Sequence, residues 1–139
     1  MSFEFETEVD VRYTDLDTYG HVNNAVYATF LEEARVDYLA DVIGGEHADI
    51  TGSGEGLGIV LATLELDFQA SLGPSDSVTV AVRVPRLGDS SFPIEYEVRE
   101  DGEVLATGET TVVVFDRASR ESQPIPESWR EQIQQFEGL

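Results

Sequence analysis

The stretch Tyr13 to Leu39, YTDLDTYGHVNNAVYATFLEEARVDYL, runs from a loop of Asp, Gly and Asn straight into a helical pattern. Asn23 is a ready N-cap, because its short side chain can accept a backbone N–H that the first turn leaves unpaired. From Asn24 to Val42 the apolar residues Tyr27, Phe30, Leu31, Ala34, Tyr38 and Val42 return at helical spacing and predict one buried stripe. Gly44-Gly45 then ends the helix. Upstream, Phe3, Phe5, Thr7, Val9, Val11 and Tyr13 alternate with Glu4, Glu6, Glu8, Asp10 and Arg12, which is the period of a half-wet strand.

Downstream the period of two returns. Ala62, Leu64, Leu66 and Phe68 form one alternating set, Val78 to Val84 a second, and Ile94, Tyr96 and Val98 a third. Asp101-Gly102 makes a tight turn into a last strand, Val104 to Phe115. Pro124 and Pro126 precede a short helix, Glu127 to Phe136, in which Trp129 is expected to pack onto the sheet. Residues 44–58 read as a polar, Gly-rich surface loop. They do not cradle a phosphate, since the Gly spacing is wrong and a strand follows where a helix is needed. Strands joined by short turns pair antiparallel, so the expectation is an α+β chain. One antiparallel sheet wraps a long central helix, in a single domain over residues 1–139. A sheet with one helix leaves much apolar surface for a second copy to bury, which predicts a homodimer or homotetramer.

Asp and Glu number 28 against 8 basic residues, all Arg, for a formal charge of −20. Nucleic-acid binding and an anionic membrane surface are both disfavoured by that charge. The apolar patterning is too strong for a disordered chain, so the composition resembles that of salt-accumulating halophiles, whose acidic surfaces are screened by concentrated salt. No apolar run approaches the roughly 18 residues of a membrane span. The start, MSFEFETEVD, has no leader pattern, and a cytoplasmic protein is expected. With no Cys there is no disulfide and no thiolate chemistry. No cofactor is called for. A metal site from Asp15, Asp17 and His21 would be oxygen-rich and short of ligands.

The loop before the helix carries the chemistry. A carboxylate near a helix start suits acyl transfer, because an unpaired N–H can polarise a carbonyl while the carboxylate attacks it or activates water. On residue types alone, Asp15 and Asp17 are equally well read as turn and capping residues, His21 as a structural side chain and Asn23 as a plain N-cap. Glu32 and Glu33 read as a solvated helix face, with Arg35 three residues after Glu32. His47, in the Gly-rich loop, has no neighbouring partner in sequence.

The segment resembles the signature of the hotdog-fold acyl-CoA thioesterases of the 4-hydroxybenzoyl-CoA thioesterase family. Asp15-Leu16-Asp17-Thr18-Tyr19-Gly20 matches Asp-x-Asp-x-x-Gly, His21-Val22-Asn23-Asn24 matches the start of the helix, and Ala34-Arg35 follows on it. LELDFQASLGPSDSVTV, with Ser75 where Gly is usual beside Asp76, and Arg86-Leu87-Gly88-Asp89-Ser90-Ser91 extend the likeness along the chain. The resemblance implies that Asp17 is nucleophile or general base and that the Asn24 backbone N–H polarises the thioester carbonyl of an acyl-CoA. Asp15 becomes a structural residue of the loop. Arg86, Ser90 and Ser91 become candidates for the phosphates or pantetheine of CoA. His21-Val22-Asn23-Asn24 also resembles the acyl-carrier-protein thioesterases, whose His is catalytic with an Asn two positions earlier; Tyr19 stands there in this chain, and the resemblance makes His21 a catalytic candidate beside Asp17 and Asn24, or a residue that orients the loop or a water. A noncatalytic acyl-thioester-binding module is the remaining alternative, and it has no need of a carboxylate at position 17.

Overall fold

The computed structural model describes residues 3–44, 56–73 and 75–139. In chain order it has β1 (Phe5–Asp10), a 3-10 turn (Tyr13–Asp15), α1 (Asn24–Val42), β2 (Leu57–Phe68), β3 (Ser77–Arg83), β4 (Ser91–Glu100), β5 (Glu103–Asp116) and α2 (Glu127–Glu137). The strands form one antiparallel sheet in the order β1-β3-β4-β5-β2, with α1 across one face. Both helices and all five strands occur in the expected order, and Asn23 caps α1 by accepting from Ala25 N at 2.9 Å; β1 stops at Asp10, short of the Tyr13 the alternation reached, and β2 begins at Leu57, inside the stretch read as a surface loop. Asp101 and Gly102, at φ +50° and +81°, make the left-handed pair of the β4–β5 hairpin. No described helix is long and apolar enough to cross a membrane.

One expectation is corrected. Consecutive pairing holds for β3–β4 and β4–β5 but not for β2, which pairs with β5, while β3 lies between β1 and β4. The cause is the segment after β2. It turns across the end of the sheet, donating from Gln69 N and Ala70 N to Leu105 O at 2.8 and 3.1 Å, and buries Leu72 in the core. β2 is thereby an edge strand, with a bulge at Ala62 between the Leu61–Val112 and Thr63–Thr111 pairs.

The core lies between α1 and the inner faces of the strands, where Val78, Val80, Val82, Ile94, Val98, Val112 and Val114 are buried. Tyr27 meets Phe68 of β2 edge-on at 5.2 Å, and Tyr38 meets Phe5 of β1 at 5.4 Å, so α1 reaches from one sheet edge to the other. α2 closes the far end, with Trp129 and Ile133 buried as its apolar spacing requires. Glu137 Oε2 accepts from Tyr38 Oη at 2.6 Å and Val84 N at 2.8 Å, tying α2 to α1 and to the end of β3. Burial and the Glu137 carboxylate both push the Tyr38 phenol well above its ordinary range, so it stays a donor.

Candidate functional site

Residues 11–23 fold back on themselves before α1 begins. Leu16 and Val22 form an antiparallel bridge, Asp17 N donates to His21 O at 2.7 Å, and Gly20, at φ +78°, donates to Asp17 O at 3.1 Å. Only a residue tolerant of positive φ makes that turn without strain, which is why Gly follows the Asp-Thr-Tyr run. The loop is held from outside as well. Val22 N donates to Leu72 O at 2.7 Å and Val11 N to Asp76 O at 3.0 Å, so the crossing segment between β2 and β3 is its floor. Arg12 Nη2 pairs with Glu33 Oε1 of α1 at 2.9 Å.

The two aspartates have different tasks. Asp15, half-buried, accepts from Arg12 N through Oδ2 at 2.7 Å, and its carbonyl accepts from Asn23 N at 3.0 Å. It fastens the loop, as a turn residue does. Asp17 is exposed, and its Oδ1 accepts from Tyr19 N at 2.8 Å and His21 N at 3.2 Å. Two N–H donors on one oxygen fix the direction of the carboxylate, and no described residue donates to Oδ2. Asn24 opens α1 one residue after the cap. The cap side chain takes Ala25 N and the cap carbonyl takes Val26 N, at 2.9 Å each, while no described residue accepts from Asn24 N. A fixed carboxylate and a helix-start N–H on one stitched loop can hold a carbonyl and deliver a base or nucleophile to it.

His21 joins this arrangement through its backbone, and its imidazole is exposed. Arg86 is exposed and Ser90 and Ser91 are half-buried, in a turn where Gly88 N donates to Ser91 O at 2.9 Å. That turn opens β4 beside the end of β3, whereas the Asp17 loop follows β1 beside the start of β3. Within one chain the two lie at opposite ends of the sheet. His47 falls outside the described residues. Among the described residues no three of His, Asp and Glu gather as metal ligands.

Two features escape the sequence. Tyr13 continues the strand alternation on paper, yet the ladder stops at Asp10, and Tyr13 is 90% exposed, as Tyr19 later in the loop is 85% exposed. The signal available was the Tyr-x-Asp-x-Asp turn chemistry, which outweighs alternation. Next to Tyr13 is a hollow of about 550 Å³ bounded by Val11, Arg12, Leu16, Ser75 and Asp76. A hollow of about 730 Å³ on the outer sheet face is lined by Glu65, Asp67, Glu95, Glu97 and Glu109 against the single cation Arg83, a balance that disfavours an anionic ligand. The reading of Arg35 as part of a solvated helix face with Glu32 is also corrected. Arg35 is only 9% exposed, and its Nη1 reaches Tyr96 Oη at 3.3 Å, with Tyr96 Oη 2.8 Å from Thr110 Oγ1. Position on the stripe decides this: Arg35 follows Leu31 by four residues and so points inward with it. Burial raises the Tyr96 phenol, opposed by the nearby guanidinium.

Residues 11–133 match the family model of the thioesterase-like superfamily. The long-chain acyl-CoA thioesterase FadM of Escherichia coli (strain K12) is 28% identical over 135 residues, covering 94% of this chain and 98% of that protein. A thioesterase from Thermus thermophilus, solved with coenzyme A and Zn, superposes with a TM-score of 0.84 at 35% identity over 99% of this chain and 96% of that one. The acyl-acyl carrier protein thioesterase ATL3 of Arabidopsis thaliana is 37% identical over 84 residues, which is 60% of this chain and 43% of that protein.

Proposed function

The chain belongs to the thioesterase-like superfamily, and from that premise we propose that it hydrolyses acyl-CoA thioesters to free acid and CoA as a single hotdog domain, with Asp17 as nucleophile or general base. The observation that carries this reading is the Asp17 carboxylate, fixed by two backbone N–H groups through Oδ1 on a loop fastened to the start of α1. The substrate class follows from FadM and from the coenzyme A bound to the Thermus thermophilus thioesterase. The particular roles of Asp17 and Asn24 follow from the likeness to the 4-hydroxybenzoyl-CoA thioesterases.

In this reading the thioester oxygen accepts from Asn24 N, which withdraws charge from the carbonyl carbon. Asp17 then removes a proton from water as the water oxygen bonds to that carbon. The tetrahedral oxyanion collapses, the C–S bond breaks, and the proton passes from Asp17 to the departing CoA sulfur. Direct attack by Asp17 gives the same products through an anhydride that water opens. His21 orients the loop through its backbone. A carrier-protein substrate, which the His21-Val22-Asn23-Asn24 motif and the ATL3 likeness favour, would bring a second acidic surface against a chain of charge −20.

The functional unit is a homo-oligomer. Arg86, Ser90 and Ser91 lie at the sheet end opposite Asp17, so a CoA held by them is served by the Asp17 of another copy. Antiparallel pairing of two β2 edges brings those opposite ends side by side. The surface charge is that of a salt-adapted cytoplasmic protein. Thiol release from a panel of short, long, branched and aromatic acyl-CoAs tests the function. Turnover of at least one is expected; a panel with none hydrolysed would leave the noncatalytic binding module as the reading.

A further inference from the structure

The connection between β3 and β4, residues 84–90, is splinted along α2. At its start Val84 N donates to Glu137 Oε2 at 2.8 Å, at the end of the helix. At its far side Arg130 Nη2, early in the helix, donates to Gly88 O at 2.7 Å and reaches Asp89 O at 3.4 Å. Asp89 O also accepts from Ile125 N, just ahead of the helix, at 2.8 Å. A basic side chain among 28 acidic residues has many carboxylates to choose from. Arg130 is nevertheless in none of the ion pairs among the described residues, and its guanidinium is aimed at two peptide carbonyls instead.

The direction of those carbonyls has a consequence on the opposite side of the turn. In a trans peptide the C=O and the N–H that follows it point opposite ways. With Gly88 O and Asp89 O both drawn to α2, Asp89 N and Ser90 N are both turned away from it. No described residue accepts from either N–H. Successive N–H groups on one side of a turn make a concavity suited to an anion. The turn is fixed at its other corners too. Ser90 O accepts from Val114 N of β5 at 2.9 Å, and Gly88 N donates to Ser91 O at 2.9 Å. A Cβ at Gly88 would stand 2.9 Å from that same oxygen, so the closure needs glycine.

The charge around the turn favours an anion as well. Asp89 is the one carboxylate of residues 86–91, against Arg86 within the turn and Arg130 behind it. Arg117 and Arg120 follow the end of β5, at the sheet end where Val114 meets Ser90. Half of the eight basic residues thus stand at this end of a chain whose net charge of −20 otherwise repels anions.

We infer that Arg130 is a positioning residue for CoA: from α2 it draws in the Gly88 and Asp89 carbonyls, and so presents Asp89 N and Ser90 N, beside Arg86, to a phosphate of CoA. The inference deepens the CoA-binding part of the proposed function and rests on it. Calorimetry with CoA, dephospho-CoA and pantetheine tests it without turnover. R130M should raise the Kd for CoA at least ~10-fold and leave that for pantetheine, which lacks the nucleotide phosphates, within ~2-fold. A loss repeated with dephospho-CoA assigns the contact to the pyrophosphate, and a loss confined to CoA assigns it to the 3′-phosphate. R130K, which can still donate to the carbonyls, should recover part of the affinity. The ratio of the R130M to the wild-type Kd should persist in molar KCl, where a charge acting at a distance is screened within about 3 Å. In amide proton–nitrogen NMR spectra of the wild type, the Asp89 and Ser90 signals should shift with CoA and stay with pantetheine, a test that needs no folded R130M. A loss shared by pantetheine, a ratio that falls to one in KCl, unmoved amides, or a wild type that binds no CoA would overturn the inference. Thiol release separates the two readings. R130M should raise KM for an acyl-CoA with kcat within ~2-fold, whereas a chain that binds CoA as described and hydrolyses no acyl-CoA fails the thioesterase assignment and leaves the role of Arg130 standing.

Discussion

Asp17→Asn separates the chemistry of the loop from its architecture. Oδ1 of Asp17 accepts from Tyr19 N and His21 N, and an Asn side chain turned to place its carbonyl oxygen there keeps both bonds. What is lost is the negative charge and the basicity of Oδ2, to which no described residue donates. Hydrogen bonds to a charged acceptor exceed neutral ones by about 1 kcal/mol, which puts the stability cost at about 1–2 kcal/mol. Part of that is returned, because one negative charge leaves a chain of net charge −20. The unfolding midpoint should fall by no more than ~10 °C. Catalysis responds on another scale. Loss of a general base or nucleophile costs at least ~100-fold in kcat, about 2.7 kcal/mol of barrier.

The assay is thiol release from the best acyl-CoA of the panel, with kcat and KM read separately and thermal unfolding followed on the same preparation. Asp15→Asn is the control: the half-buried Asp15 holds Arg12 N and fastens the loop, so its effect should appear in the midpoint before it appears in kcat. Asn24→Ala retains the backbone N–H and should cost less than Asp17→Asn. His21→Ala should leave kcat within ~10-fold if the imidazole only lines the loop. A folded Asp17→Asn variant with near wild-type turnover would refute the assignment and favour the binding module.

Two further outcomes follow from packing and charge. Glu95, Glu109 and Glu65 stand side by side across β4, β5 and β2 on the outer face, with Arg83 pairing Glu95 at 2.7 Å at one end of the row. Each adjacent like pair costs about 0.2–1 kcal/mol, so Glu109→Gln should raise stability by ~0.5–2 kcal/mol in dilute buffer. The gain should shrink in molar KCl, where the wild-type midpoint should itself rise; a wild-type midpoint lowered by salt would count against the salt-adapted reading. In Gly108→Ala the new Cβ would sit 2.7 Å from Cδ1 of the fully buried Leu31, where α1 meets β5. Overpacking there should cost ~1–3 kcal/mol in urea unfolding, and the double variant with Leu31→Ala should lose less than the sum of the singles, because the clash is gone. Additive losses in the double variant would mean that the contact is not the cause.

How much of this was legible depends on whether a property is local. The bounds of α1 were readable because Asn23 and Gly44 act on the few residues beside them. The separate tasks of Asp15 and Asp17 were half-readable: turn chemistry was visible in the types, but which oxygen is tied depends on where the loop closes. That closure needs Leu72, 50 positions on, to offer its carbonyl to Val22. Alternation gives each strand its faces and says nothing of its neighbours, so the pairing of β2 with β5 could not be read from consecutive turns. The same distinction explains Arg35. Spacing of three from Glu32 suggested a local ion pair, while spacing of four from Leu31 put the side chain under the helix, where Tyr96 and Thr110 are its only described polar company. Local pairing loses there because burial of the stripe is collective: turning Arg35 outward would also turn Leu31, Tyr38 and Val42 out of the core. A helix that buries its leucines on this stripe must bury Arg35 with them, and the Tyr96 hydroxyl is the acceptor that the sheet offers it.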